Sequence, residues 1–424
     1  MRRLVTAGRL ALASGAIAVL AWSWIRLQNP VPSASALFLS GAGKPEMTAA
    51  QQQMMSRMAG ESAMMRMSMM QIDPAILTSI AARASLLVRF SVTESVAVQK
   101  RAFESTATGF IWRGTVAGTK DPVLLIGNGT TISGTIRRAE RVYVIRPMGA
   151  DLHAVLEEST AAMPAHHMTM PPGQSLDAPM GRPSRPAANG SPVPARASPE
   201  KAPPPIVIRL LFAYTPHAAS HYADITRDAI HLAVEETNEV FRRSLLGHIR
   251  FTLAHSYLTD YVESGTHLDH LIRFAEPGDG VMDEMHALRD QHRAAIAVLL
   301  VDDPSSCGLS AAIGAEEYQA YTVLHHACAA ANLSLAHEIG HLFGARHDPA
   351  IDATSTPPAY AHGFVNGNKW RTIMSYGSAC GGCPRMPLFS NPSVVIDGEP
   401  AGKTDVYDNA KVVRDAAPRI AHFR

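Results

Sequence analysis

The chain has 424 residues, 46% hydrophobic and 18% charged, at a formal net charge of +1, enough for two to three domains with a sizeable core. That balance conceals a split: residues 1–205 carry 21 Lys and Arg against 12 Asp and Glu, residues 206–424 carry 17 against 25, so +9 is joined to −8. The basic charges are thinly spread, with no Lys/Arg run longer than two, which argues against a nucleic-acid protein; composition also excludes collagen, a coiled coil and a polytopic membrane protein.

Arg2, Arg3 and Arg9 precede an apolar run from Leu10 to Trp24, which Pro30 and Pro32 break before the small residues Ala34-Ser35-Ala36. This predicts a signal peptide over 1–36 and a secreted or periplasmic product, with an uncleaved anchor as the alternative. No later segment is long enough to span a bilayer. Residues 37–84 are rich in Met, nine of them between Met47 and Met70. Thioethers suit Cu(I), so an exported copper-binding protein is the competing class; the plainer expectation is a flexible or loosely helical segment using Met as an adaptable apolar residue.

Residues 85–159 are expected to form a small β-rich domain, with strand composition at 86–92, 109–116 and 141–145 and a hairpin turn at Asn128-Gly129. Twelve prolines between 160 and 205 predict a disordered or extended linker over 160–204, open to proteolysis. The pair His166-His167 inside it reads as solvated, though within reach of a metal. From 205 to 424 the pattern alternates: a strand over 206–214, a helical face of Ile225, Ala229, Leu232, Ala233 and Val240, a strand over 249–258, a helix over 281–292 and a buried strand over 295–301. That order predicts an α/β sheet with helices packed on it.

Cys307, Cys328, Cys380 and Cys383 all lie in this second half, and in an exported chain they predict two disulfides. Three pairings are possible. The Gly381-Gly382 spacer lets a short loop close and favours Cys307–Cys328 with Cys380–Cys383. One C-x-x-C alone cannot fill a structural zinc site.

Residues 337–348 read H-E-I-G-H-L-F-G-A-R-H-D. On a helix His337 and His341 project from one face a turn apart, as two ligands of one zinc must. Glu338 lies beside the first of them, where its carboxylate reaches a metal-bound water without binding the metal. Gly344 can take the left-handed conformation that ends the helix and delivers His347 from another direction. Three imidazoles leave the fourth position for water, the mark of a catalytic rather than a closed site. A degenerate, non-catalytic module would be expected to lack Glu338.

With Thr372-Ile373-Met374-Ser375-Tyr376-Gly377 downstream, this motif resembles the metzincin metallopeptidases. Asp348 after the third His is similar to the reprolysin (adamalysin) branch. Phe389-Ser390-Asn391-Pro392 and the cysteine pattern resemble bacterial reprolysin-like enzymes, including the peptidyl-Asp metalloendopeptidases. The resemblance covers about 205–424. It implies a mixed α/β (α+β) catalytic domain with an active-site helix, preceded by a β-rich prodomain; one catalytic Zn²⁺, with any Ca²⁺ left open; Met374 as a floor beneath the metal; and protein or peptide substrates. Tyr376, two residues after the Met, either approaches the metal and hydrogen-bonds the oxyanion or packs as an ordinary aromatic. The basic half has no cysteine to ligate zinc in a zymogen, so a prosegment acting as intramolecular inhibitor must use another ligand or steric cover. An extended substrate is expected to pair with an edge strand near Gly308 and Leu309. Arg385, just past the Met-turn, either selects an acidic side chain or is a solvated loop residue.

Overall fold

A computed structural model describes residues 35–39, 46–91, 93–138, 140–166, 203–355 and 358–424. Residues 1–34 of the predicted signal peptide and most of the Pro-rich linker therefore lie outside the described residues; the peptide's last two, Ser35–Ala36, pair in parallel with Leu86 and Leu87. No helix among the described residues is long and apolar enough to cross a membrane.

The amino-terminal half is built on a nine-stranded sheet. Its centre is a meander of seven antiparallel strands, from Ser85–Arg89 through Ser95–Ser105, Gly109–Val116, Pro122–Asn128, Thr131–Arg138 and Arg141–Pro147 to Leu152–Ser159. Asn128 pairs with Thr131 across the expected Asn-Gly turn, and Gly129 takes the positive φ that such a turn needs. Trp112, Leu125 and Ile136 are fully buried in its core.

The Met-rich segment departs from expectation, being neither flexible nor merely helical. Ala49–Ala59 is a helix opened by a capping box between Thr48 and Gln51. Met64–Gln71 is the last strand of the sheet, antiparallel to Leu152–Ser159. The physical reason lies in tertiary packing: Met54 and Met58 are buried with Val142, Val144 and Leu156, and Met47, Met55, Met67 and Met69 pack around them. Side chains that carry no strong local preference become ordered once a β face exists for them to cover.

The second half holds a five-stranded sheet in the order Ile249–Leu258, Ile206–Tyr214, Ile296–Val301, Tyr321–His325, Gly308–Ser310. The first four strands are parallel; Gly308–Ser310 is an antiparallel edge. Parallel strands need both faces covered, and both are. One face packs on the helices His231–Arg243, Ser334–Phe343 and Asn409–Ala421, the other on His267–Ala275 and Glu284–Gln291. Both favoured disulfides are formed, Cys307–Cys328 and Cys380–Cys383.

The two halves share a core, since Ile111, Leu124 and Ile126 of the first sheet join the cluster built on Leu232, Phe241 and Leu335. Charge crosses the same boundary. Arg113 bonds Glu235 at 3.1 Å and Glu239 at 2.6 Å. Arg137 donates to the carbonyls of Ala330 and Ala331 at 2.8 and 2.7 Å and faces Glu236. Three glutamates of one helix thus meet two arginines of the basic half, although the Arg250–Glu104 pair runs in the opposite sense.

Candidate active site

The helix Ser334–Phe343 is buried along its whole length. Its glycine, Gly340, lets the chain around the Met-turn come close: a Cβ there would stand 2.7 Å from Phe389 and 3.0 Å from the Met374 sulfur. Met374 is itself fully buried. Gly344 ends the helix at φ 106°, and a Cβ at that position would meet Val412 at 3.0 Å. The turn it makes returns His347 to the helix face.

His347 Nε2 lies 3.2 Å from His337 Nε2 and 3.0 Å from His341 Nε2. Donors bound to one tetrahedral ion at about 2.0 Å stand roughly 3.3 Å apart, so the three fit a metal. The outer nitrogens are also held: His337 Nδ1 is 3.0 Å from the Ile373 carbonyl and His341 Nδ1 is 2.9 Å from that of Ala345. These contacts leave the inner nitrogens as acceptors. Burial keeps all three rings neutral, pulling His341 down to about 4 and the other two well below their ordinary value, and neutral imidazole is the metal-binding form.

Glu338 is fully buried beside them, and burial pushes its carboxyl up to about 8. Ser310 Oγ donates to its Oε2 at 2.7 Å. Gly308 lets the edge strand approach, since a Cβ there would stand 2.9 Å from Glu338 Cγ. Leu309 is buried beside it. Asp348 fastens the segment after Met374 by accepting the Tyr376 amide at 3.0 Å.

One functional candidate was misplaced by sequence reasoning. His166, read as solvated, is buried, stacked on His337 with ring centres 4.0 Å apart, and its Nδ1 is 2.9 Å from Glu338 Oε1. Its carbonyl accepts the Tyr376 hydroxyl at 2.6 Å. The carbonyl of Ala165 accepts from Cys307 N and Ser306 Oγ, each at 3.1 Å, just ahead of the edge strand. Residues 165–166 thus cross the cleft. The available signal was chemical, since this linker carries a histidine pair within reach of a metal. His167 lies outside the described residues.

Arg385 spends its donors on the protein, with Nε on the Ile373 carbonyl at 2.9 Å and Nη1 on the Asn332 carbonyl at 2.6 Å. Burial and the neighbouring Arg371 pull it down to about 9. Arg371 differs: its Nε and Nη1 are buried without a hydrogen-bond partner among the described residues.

A family model described as Metallo-peptidase family M12 (Reprolysin_5) matches residues 205–390. A peptidyl-Asp metalloendopeptidase of Xanthomonas campestris pv. campestris is 36% identical over 328 residues, 74% of this chain and 76% of the relative. The chain belongs to the M12 metallopeptidases and is a zinc endopeptidase. The metallopeptidase is also 36% identical to a peptidyl-Asp metalloendopeptidase of Stenotrophomonas maltophilia over 318 residues, 72% of each chain. One from Pseudomonas fragi is 32% identical over 191 residues, 45% of this chain and the whole of that one. Metalloproteinase-II from Bacteroides fragilis superposes at a TM-score of 0.41 with 10% identity, covering 80% of this chain and 94% of that one, too distant to bear on the site.

In this metallopeptidase Gly344→Ala is expected to cost on the order of 1–3 kcal/mol, because an L-residue is forced into positive φ against Val412. It is also expected to weaken metal retention by displacing His347. Thermal unfolding and zinc analysis of the purified variant check both effects.

Proposed function

We propose that this M12 peptidase is exported as a latent precursor and hydrolyses peptide bonds with Glu338 as general base, preferring acidic residues at the cleavage site. The observation that carries this reading is the convergence of three neutral imidazoles beside a buried carboxyl raised to about 8. His337, His341 and His347 would hold Zn²⁺, which when bound polarises the scissile carbonyl and acidifies a water molecule. Glu338 takes the proton from the attacking water at its carboxylate and returns it to the leaving amine. A carboxyl poised near neutral pH suits both transfers. Tyr376 donates its hydroxyl to the oxyanion, and its present bond to a peptide carbonyl, that of His166, supports this role. The substrate backbone pairs with the edge strand Gly308–Ser310 by strand addition.

Latency rests on the segment that contains His166. It occupies Tyr376 and Glu338 together, so water cannot be activated while it stays. The basic half of the chain serves as the inhibitor, held by a shared apolar core and by Arg113 and Arg137 on Glu235, Glu236 and Glu239. Cleavage in the linker after it would free the site.

Acidic specificity is attributed to the paired cations Arg371 and Arg385. A buried guanidinium with two unpaired nitrogens is costly, and a substrate carboxylate would satisfy it. The curated relatives named as peptidyl-Asp metalloendopeptidases support the same preference.

Glu338→Gln should lower kcat roughly 100- to 10,000-fold with zinc still bound; full activity in a peptide assay would sink the assignment. His166→Ala in the full-length chain should shorten the lag before self-processing, followed by gel and peptide hydrolysis, and an unchanged lag counts against the latency device. Peptide-library profiling of Arg371→Gln and Arg385→Ala should show the acidic preference reduced roughly 10- to 100-fold in kcat/KM. An unaltered profile in both variants removes the pair from substrate selection.

A further inference from the structure

A second group of metal-type donors lies apart from the catalytic helix, at the carboxyl ends of three neighbouring parallel strands. Asp302 directly follows the strand Ile296–Val301, His325 ends the strand Tyr321–His325 with His326 next to it, and His221 lies just beyond the short helix that follows Ile206–Tyr214. All three imidazoles are buried. His221 Nε2 is 3.1 Å from Asp302 Oδ2, His326 Nε2 is 3.2 Å from Oδ1, and His325 Nδ1 is 4.0 Å from Oδ1. The rings of His221 and His326 are 4.3 Å apart, and those of His325 and His326 are 4.7 Å apart.

The outward-facing nitrogens carry the argument further. His326 Nδ1 meets the Tyr222 hydroxyl at 3.0 Å. His221 Nδ1 lies at ion-pair distance, 3.3 Å, from the Glu61 carboxylate without hydrogen-bond geometry. In metal sites a ligating histidine gives its other nitrogen to a carboxylate, carbonyl or similar acceptor, which fixes the tautomer and aims the free lone pair at the ion. In an ordinary ion cluster the inner nitrogen of His325 should find a partner. It has none among the described residues and is buried, which is costly for a polar atom without an ion to bind. Asp302 retains 31% side-chain exposure, so a cation can enter from solvent.

We infer that Asp302, His325 and His326, whose donor atoms lie within 4.8 Å of one another, form a second metal site, with His221 bonded to Asp302 beside it, taking a first-row divalent transition ion of the zinc class in a structural role. Two imidazoles and one carboxylate suit zinc rather than calcium or magnesium, which prefer all-oxygen shells. The position of the site explains a structural role: Asp302 opens the segment that reaches Cys307 and the edge strand, and His326 lies two residues before Cys328, so the ion and the Cys307–Cys328 disulfide pin the same loop ahead of the catalytic helix. Glu61, held by Arg146 at 3.0 Å, reaches this site from the amino-terminal half.

Zinc stoichiometry on the full-length chain tests the inference. Every sample carries Glu338→Gln to suppress self-cleavage, is equilibrated with zinc, dialysed and measured by plasma mass spectrometry. The parent should hold two zinc ions per chain, His341→Ala one, Asp302→Asn with His326→Ala one, and the combination none. Because the catalytic site is removed separately by His341→Ala, failure of either site is read independently. A parent with a single zinc that His341→Ala abolishes overturns the inference. Should the Asp302/His326 variant fail to fold, Co²⁺ titration of the His341→Ala chain decides. A saturable visible band of tetrahedral intensity, displaced by Zn²⁺ and not by Ca²⁺, is expected; no band overturns the site.

Discussion

Everything in the catalytic half depends on bringing two imidazole nitrogens within about 3 Å of a third in a buried region. Such crowding is unfavourable for charged rings and acceptable for neutral ones, so burial of the helix Ser334–Phe343 is a chemical requirement as much as a packing outcome. The helix supplies two of the three, and only a left-handed Gly344 can return the chain steeply enough to supply the third. Met374 and Phe389 close the space under the helix because Gly340 offers them no Cβ to avoid. The same desolvation that neutralises the histidines raises Glu338, so one environment sets both the neutral form of the three imidazoles and the raised carboxyl beside them.

The amino-terminal half is best understood as a counterpart to that site. It gains attachment from an apolar face shared with the catalytic core and from Arg113 and Arg137 against an acidic helix, while its last described residues run through the cleft. An imidazole bonds Glu338 and a carbonyl bonds Tyr376, the two groups to which the proposed mechanism assigns the chemistry. The latency proposed above would require no thiol, in keeping with a basic half that contains no cysteine. Surface charge contributes to such docking mainly through steering and is screened by salt; the part-buried Arg137 contacts to the Ala330 and Ala331 carbonyls are less exposed to that loss.

Much of the site was legible in sequence because its geometry is local. A spacing of four on a helix, a glycine and a third histidine encode positions within one turn and one bend, and the two Cys pairs were legible from spacing and compartment. Strands such as Ile206–Tyr214 and Ile296–Val301 were legible because a buried parallel strand is nearly all apolar. The Met-rich stretch was not, since methionine has little intrinsic preference and takes its conformation from what it covers.

The sequence by itself determined the metal-type triad, its carboxylate, the export-type leader pattern and the division into a basic and an acidic half. Tertiary structure decided what meets across long separations: His166 against Glu338, 172 positions away, Arg371 left with unpaired donors, and the gathering of His221, Asp302 and His325-His326 at one end of the sheet. The reason is physical. Periodicity and turn chemistry record interactions within a few residues, whereas partners joined through strand order become neighbours only when the sheet is assembled.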